Sequence, residues 1–255
     1  MAEFDPSVPS IARVYDYFLG GKDHFASDRA LADKMIEMAP LVPVITRENR
    51  QFVVRAVTWA ASGGIGQFLD LGCGMPTSPD TLESARRVIR DARVAYVDND
   101  PVVLSHLNAR VAKGTPGVTV VASDVREVPV ILDGVRAEID LSRPVCLIMG
   151  FLLHFFTADE ARDLVARYTA ALAPGSLLVL SAIHVETQGA DEGFAGYSSA
   201  VAPVYNHSAA EFASFLDPLD LLPPGVVDAR RWGARPGAPD VQPRDQYAIV
   251  GAARL

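Results

Sequence analysis

The chain has 255 residues, of which 49% are hydrophobic and 21% charged, and carries a formal net charge of −8. That length and apolar content suit one sizeable α/β domain with an appendage, while the acidic balance argues against the broad positive face that a nucleic-acid partner needs. Cys73 and Cys146 are the two cysteines; their spacing frames neither a disulfide scaffold nor a metal site, so both read as reduced, packed thiols. The N-terminus, with Glu3 and Asp5, has no basic segment followed by an apolar one, and no later run is long enough to cross a bilayer. A soluble, cytoplasmic protein with a small-molecule partner, no nucleic acid and no membrane is expected.

In chain order, Ser10 caps a short helix on which Ile11, Val14, Tyr15 and Phe18 share one face, and Gly20-Gly21 ends it. A second helix is expected from Arg29 to Met38, after which Pro40 and Pro43 break the chain. A third, from Arg47 to Ala61, turns Phe52, Val53, Ala56, Val57 and Ala60 inward before Ser62-Gly63-Gly64. Residues 1–64 thus form an N-terminal helical cap, and residues 65–255 the core on which it packs as one compact unit.

From Gln67 onward, short apolar runs alternate with helices, the pattern of a parallel sheet covered on both faces. Strands are expected at Gln67–Leu71, Arg93–Asp98, Val118–Ala122, Val145–Met149 and Ser176–Ile183. Thr157 to Glu160 reads as a capping box opening a helix that ends near Leu172, and Ser208 to Glu211 repeats the device. Gly225–Trp232 and Gln246–Ala252 read as two further strands, antiparallel because the Pro- and Gly-rich loop between them is too short for a crossover helix.

The chemistry gathers at strand ends. Phe68-Leu69-Asp70-Leu71-Gly72-Cys73-Gly74 runs an apolar strand into a carboxylate and a Gly-x-Gly turn, where missing Cβ atoms let backbone pass close to a ligand. A carboxylate there suits a cation or a hydrogen-bond donor better than a pyrophosphate, and Thr77 stands where a dinucleotide fold wants its third Gly. This favours S-adenosylmethionine, with Asp70, Gly72 and Gly74 at its amino-acid end. Ser78 and Pro79 are expected to cap and open the next helix, leaving Met75-Pro76-Thr77 as an extended lip.

In Tyr96-Val97-Asp98-Asn99-Asp100-Pro101, Asp98 is placed to accept from both ribose hydroxyls, Asn99 lies beside it, and Asp100 caps the helix opened by Pro101. Asp124 ends the third strand; it either accepts from the adenine amine, with the Val125 N–H on a ring nitrogen, or pairs with Arg126. Gly150 and Phe151 end the fourth strand and would lie under the cofactor. His154 follows, either as a neutral base near the transferred methyl or as a packing residue.

With these segments in view, the chain resembles class I S-adenosylmethionine-dependent methyltransferases, and more narrowly an actinobacterial family of such enzymes whose substrates are mostly unassigned. The resemblance covers nearly the whole chain and is carried by Ala12 through Asp23 (ARVYDYFLGGKD), Phe68 through Pro79 (FLDLGCGMPTSP), Tyr96 through Pro101 (YVDNDP) and Leu153-His154. It implies a Rossmann-like fold, a seven-stranded, mostly parallel sheet with the last strand antiparallel, a bound S-adenosylmethionine and an N-terminal helix that helps to cover it. Cys73 and His24 depart from the Thr and Asn of the family pattern. Tyr15 would turn its ring to the sulfonium or pack the helix onto the domain.

Methyl transfer is an in-line displacement that needs alignment and exclusion of water more than a covalent nucleophile. Base candidates are His154, then His207, then Asp16, with Tyr197 and Tyr205 as orienting groups in a long loop from His184 to His207. A small-molecule methyltransferase, plausible in secondary metabolism from the family context, is the leading expectation. A non-catalytic S-adenosylmethionine sensor is the alternative.

Overall fold

A computed structural model describes residues 5–186, 203–217, 219–234, 237, 242, 244 and 246–255. Side chains that alternate along each strand decide its layering. The strands are β1 (Gln67–Leu71), β2 (Arg93–Asp98), β3 (Val118–Ala122), β4 (Cys146–Gly150) and β5 (Leu177–Val185), then two-residue β6 (Asp220–Leu221) and β7 (Val227–Asp228), and β8 (Gln246–Arg254). They form an eight-stranded sheet in the order β3-β2-β1-β4-β5-β8-β6, with β7 also on β8. β1 to β5 pair in parallel, and β8 runs antiparallel to β5, β6 and β7.

The mostly parallel sheet and its antiparallel end are as expected; the extra strand count comes from the two-residue pairings on β8. The strand expected over Gly225–Trp232 is confined to Val227–Asp228. Asp228 accepts the Arg230 N–H and is clamped by the Arg230 guanidinium, which turns the chain out of the ladder.

One sheet face, with Phe68, Val94, Tyr96, Ile148 and Val179, is buried with α3 (Val42–Ser62), α4 (Thr81–Arg86) and α5 (Pro101–Ala112). The other, with Leu69, Val97, Leu147 and Leu178, is buried with α6 (Val128–Val135), α7 (Ala158–Thr169) and α8 (Ala209–Ser214). α1 (Ile11–Phe18) and α2 (Ala26–Met38) make a small cluster of their own around Val14, Leu31 and Met35. The segment expected as a cap is therefore divided in its packing, since α3 lies inside the core through Ile45, Phe52 and Val57.

Helix starts follow local polar chemistry. Pro43 sits in the first turn of α3, where its missing N–H removes no helical bond. α2 begins three residues before the expected Arg29, because Asp28 takes the Phe25 N–H. α4 is capped by Asp80 rather than Ser78, whose hydroxyl goes instead to Glu83. Asp100, Thr157 and Ser208 cap α5, α7 and α8 as expected. Ser10 precedes α1, but its hydroxyl donates to Asp100 instead of capping its own helix. No described helix is long and apolar enough to cross a membrane.

Candidate functional site

The strand order reverses between β1 and β4, and in open α/β sheets ligands bind beyond the carboxyl ends of the strands at such a point. Alternation puts Asp70 on the face of Phe68, Asp98 on that of Tyr96, Gly150 on that of Ile148 and Ser181 on that of Val179. All four thus lie on the face covered by α3, α4 and α5. A cavity of about 630 Å³ opens there, bounded by Asp70, Gly72, Asp98, Asp124, Phe151 and Tyr205.

Gly72 has φ +62°, and a Cβ on it would lie 2.9 Å from Leu152 Cδ1; the turn needs glycine for backbone and space alike. Its partner glycine, Gly74, donates its N–H to Asp98 Oδ2 at 2.9 Å. Asp98 Oδ1 accepts the N–H groups of Asn99 and Asp100, both at 2.9 Å. Asp98 therefore ties the β1 turn to the end of β2, and its Oδ2 also takes the Cys73 thiol at 3.9 Å. Burial raises its pKa against the pull of those N–H groups.

Asp70 is 6% exposed. Burial pushes its carboxyl up to about 6, with the Thr81 hydroxyl and the Arg50 charge acting the other way. Asp124 is clamped by the N–H, Nε and Nη2 of Arg126, chiefly by the guanidinium, which lowers its pKa. Asp124 thus makes the arginine partnership, and it also lines the cavity with Val125 and Asn99. Phe151 is the one described non-glycine residue with positive φ, at +51°, a conformation that for a bulky residue marks a constrained site. Tyr15 meets its ring edge-on, with centroids 6.1 Å apart. Burial pushes the Tyr15 phenol up to about 12, so it is protonated and neutral.

The base candidates stand back from this space. His154 is 3% exposed, packed on Phe151 and Phe155 and absent from the cavity lining that includes Leu152, Phe155 and Phe156. Burial lowers its pKa to about 3, and its Nδ1 has no partner. His207, also buried, bonds Leu153 O through Nε2 and packs on Phe215. Asp16 faces the turn after α1, accepting the Asp23 N–H, with Gly21 pressed against its carboxylate. Tyr205 does reach the cavity, its N–H held by His154 O at 2.7 Å. Tyr197 lies outside the described residues.

Compared with known proteins, the chain matches the S-adenosyl methyltransferase family over residues 1–255. It belongs to that family. The methyltransferase is similar to a candidate methyltransferase of Thermobifida fusca YX, at 38% identity and TM-score 0.90, covering 97% of this chain and 95% of that one. It is also similar to a DUF574 family protein of Streptomyces avermitilis, at 35% identity and TM-score 0.88, covering 98% of both chains. Among curated relatives, a carboxy-S-adenosyl-L-methionine synthase of Geobacter sp. (strain M21) is 29% identical over 116 residues, which is 44% of this chain and 42% of that protein. The match thus spans less than half the length of those relatives.

The residues present fit S-adenosylmethionine, the donor that gives the family its name. The cavity volume falls in the range of about 300–1,000 Å³ usual for small-molecule sites, and its lining includes Asp70, Asp98, Asp124, Gly72 and Gly74. Asn49 and Arg50 line the cavity and Ser181 backs it through its bond to Asn49; none of these follows from the motifs. Asn49 is 3% exposed and sits on the buried stripe of Ile45, Phe52 and Val53. A polar side chain on an apolar helical stripe is a signal that periodicity alone offers.

Proposed function

We propose that this methyltransferase moves the methyl group of S-adenosylmethionine to a small-molecule acceptor by in-line displacement. Bound donor supplies a sulfonium whose methyl carbon is open to attack on the side opposite sulfur. In this reading Asp98 and Asn99 hold the ribose, Asp124 and Val125 border the adenine, and Asp70 with the glycine turn meets the amino-acid end. Gly150, Phe151 and Tyr15 form the wall along the sulfonium, and an aromatic face there favours a cation.

The observation that supports it is continuity. The acids at three neighbouring strand ends and an apolar wall of Phe151, Leu152, Phe155 and Phe156 border a single cavity, which gives a charged donor end and a dry acceptor end. Such an arrangement aligns two reactants and keeps water out. The net charge of −8 favours a small acceptor over a polyanion.

A metabolite screen with methyl-labelled S-adenosylmethionine tests the reading. Label transferred to an acceptor, with matching release of S-adenosylhomocysteine, is the expected result. Tight donor binding with no S-adenosylhomocysteine formed across the screen favours a non-catalytic sensor instead.

A further inference from the structure

Phe151, Leu152, Phe155 and Phe156 follow β4 along the apolar end of the cavity. Leu152, Phe155 and Phe156 are only half-buried, and Phe155 belongs to neither core cluster on the two sheet faces. Its ring packs on His154, with centroids 4.3 Å apart. Tyr205 and Pro203 line the same cavity, and Tyr205 is 38% exposed. Large apolar rings left open to one cavity mark a binding surface more than a packing one.

Tyr205 is carried on a short strap. Its N–H donates to His154 O at 2.7 Å, beside Phe155. Asn206 pairs with Val185 at the end of β5, donating from Nδ2 to the carbonyl at 2.8 Å and accepting the N–H at 3.1 Å. His207 donates from Nε2 to Leu153 O at 3.1 Å, and His184 donates from Nδ1 to His207 O at 2.8 Å. Five hydrogen bonds thus fix three consecutive residues against β5 and the turn after β4, and of the three only Tyr205 lines the cavity. A backbone held this way presents its side chain to a ligand with little ordering left to lose.

Charge narrows the ligand further. Five carboxylate residues and two arginines line the cavity. Arg126 is taken up by Asp124, and Arg50 donates to the carbonyls of Thr77 and Pro79 at 2.7 and 2.8 Å. Glu160, in the first turn of α7 just beyond Phe156, adds a carboxylate beside the aromatic end. An anionic acceptor would meet repulsion there, whereas a neutral or cationic ring meets aromatic faces.

We propose that this end takes an aromatic acceptor bearing no negative charge, and that Tyr205 selects it, with Asn206 as the positioning residue that holds Tyr205 in place. This rests on the methyl-transfer reading above and names the acceptor class for that same site.

The test is calorimetric titration of the full chain, saturated with S-adenosylhomocysteine, with naphthylmethanol, naphthylmethylamine, naphthoate and the saturated decalylmethanol. Wild type is expected to bind the naphthyl alcohol and amine about tenfold more tightly than naphthoate or the saturated alcohol. Tyr205→Ala should weaken both aromatic probes by about tenfold while S-adenosylhomocysteine affinity stays within about threefold. Asn206→Ala should match that loss, and the double variant should lose no more than either single one, because both act through one ring. Naphthoate or decalylmethanol bound as tightly as naphthylmethanol overturns the acceptor class, and aromatic affinities unchanged in Tyr205→Ala overturn the role of its ring. Asn206→Ala that is destabilised yet binds the probes normally makes the strap structural only and overturns the positioning. Should Tyr205→Ala fail to fold by circular dichroism, Tyr205→Leu replaces it under the same criteria. Wild type that holds S-adenosylhomocysteine but none of the probes refutes this assignment and leaves the donor reading standing; wild type that holds no S-adenosylhomocysteine removes both.

Discussion

Ser181 Oγ donates to Asn49 Oδ1 at 2.6 Å, joining residues 132 positions apart. The same hydroxyl accepts the Phe151 N–H at 2.9 Å, Asn49 Nδ2 donates to the Tyr15 hydroxyl at 2.9 Å, and that hydroxyl donates to Thr46 O at 3.2 Å. One run of hydrogen bonds thus links β5, the end of β4, α3 and α1 beside the cavity, and it ends on the N–H of Phe151, the residue of left-handed conformation. Ser181→Ala leaves the buried Asn49 oxygen without its donor, which should cost about 1–3 kcal/mol. A urea midpoint lowered to match, together with weaker S-adenosylhomocysteine binding, is the expected outcome; a variant as stable as wild type would show that the Ser181 hydroxyl adds no net stability.

Asp98 accepts from three backbone groups, of Gly74, Asn99 and Asp100, so it shapes two loops besides the ribose role proposed for it. Asp98→Ala should therefore lose stability by about 1–3 kcal/mol as well as donor affinity. Asp98→Asn keeps one acceptor oxygen and should stay folded while binding S-adenosylhomocysteine about tenfold more weakly. Parallel urea and calorimetric titrations separate the two effects. An Asn variant with wild-type affinity removes the ribose role.

What was legible in the sequence is local. Asp70-x-Gly72-x-Gly74, Asp98 at a strand end and the caps at Asp100, Thr157 and Ser208 depend on neighbours a few positions away, and spacing alone exposes them. The cap of α4 failed for a local reason as well: Asp80 and Glu83 form a complete capping box, which outcompetes Ser78. The remainder is long-range. Ser10 serves Asp100 across 90 positions, and the Arg50 carbonyl partners lie 27 and 29 positions away, so nothing near Arg50 in sequence marks it as a site residue. His207 is a base candidate from the sequence, yet its ring is buried and bonds the backbone of Leu153, a contact that spans 54 positions.

The raised pKa of Asp70 gives a pH signature. Burial moves it from its ordinary 3.8 to about 6, so between those values the folded, ligand-free protein holds more protons than the unfolded chain. From this group stability falls as pH rises through that window, and Asp70→Asn should lack the decline. Binding runs the other way. An ammonium favours the ionised carboxylate, so affinity for S-adenosylhomocysteine should strengthen as pH climbs through about 6 and then level, with proton release seen as a buffer-dependent binding heat. Asp98, also raised by burial, adds to both trends. A flat affinity profile from pH 5 to 8 in the wild type, or an unchanged one in Asp70→Asn, contradicts the place proposed for Asp70 at the donor's amino-acid end.

His154 separates packing from catalysis. Its pKa falls from 6.5 to about 3 through burial, with His207 adding to the fall, so the folded state keeps it neutral where the unfolded chain would protonate. A lowered histidine pKa costs stability as pH drops from about 6.5 toward 3. His154→Phe removes both this liability and the unpartnered Nδ1, and it should make the protein less acid-sensitive than wild type in pH-dependent thermal melts. Because the ring packs behind Phe151 and Phe155 rather than on the cavity, methyl transfer by the variant should stay within about tenfold of wild type, with an unshifted pH profile, whereas loss of a general base costs about 10²–10⁴-fold. A fall of that size in a variant that still binds S-adenosylhomocysteine would restore His154 as the base and require its ring to reach the acceptor during turnover.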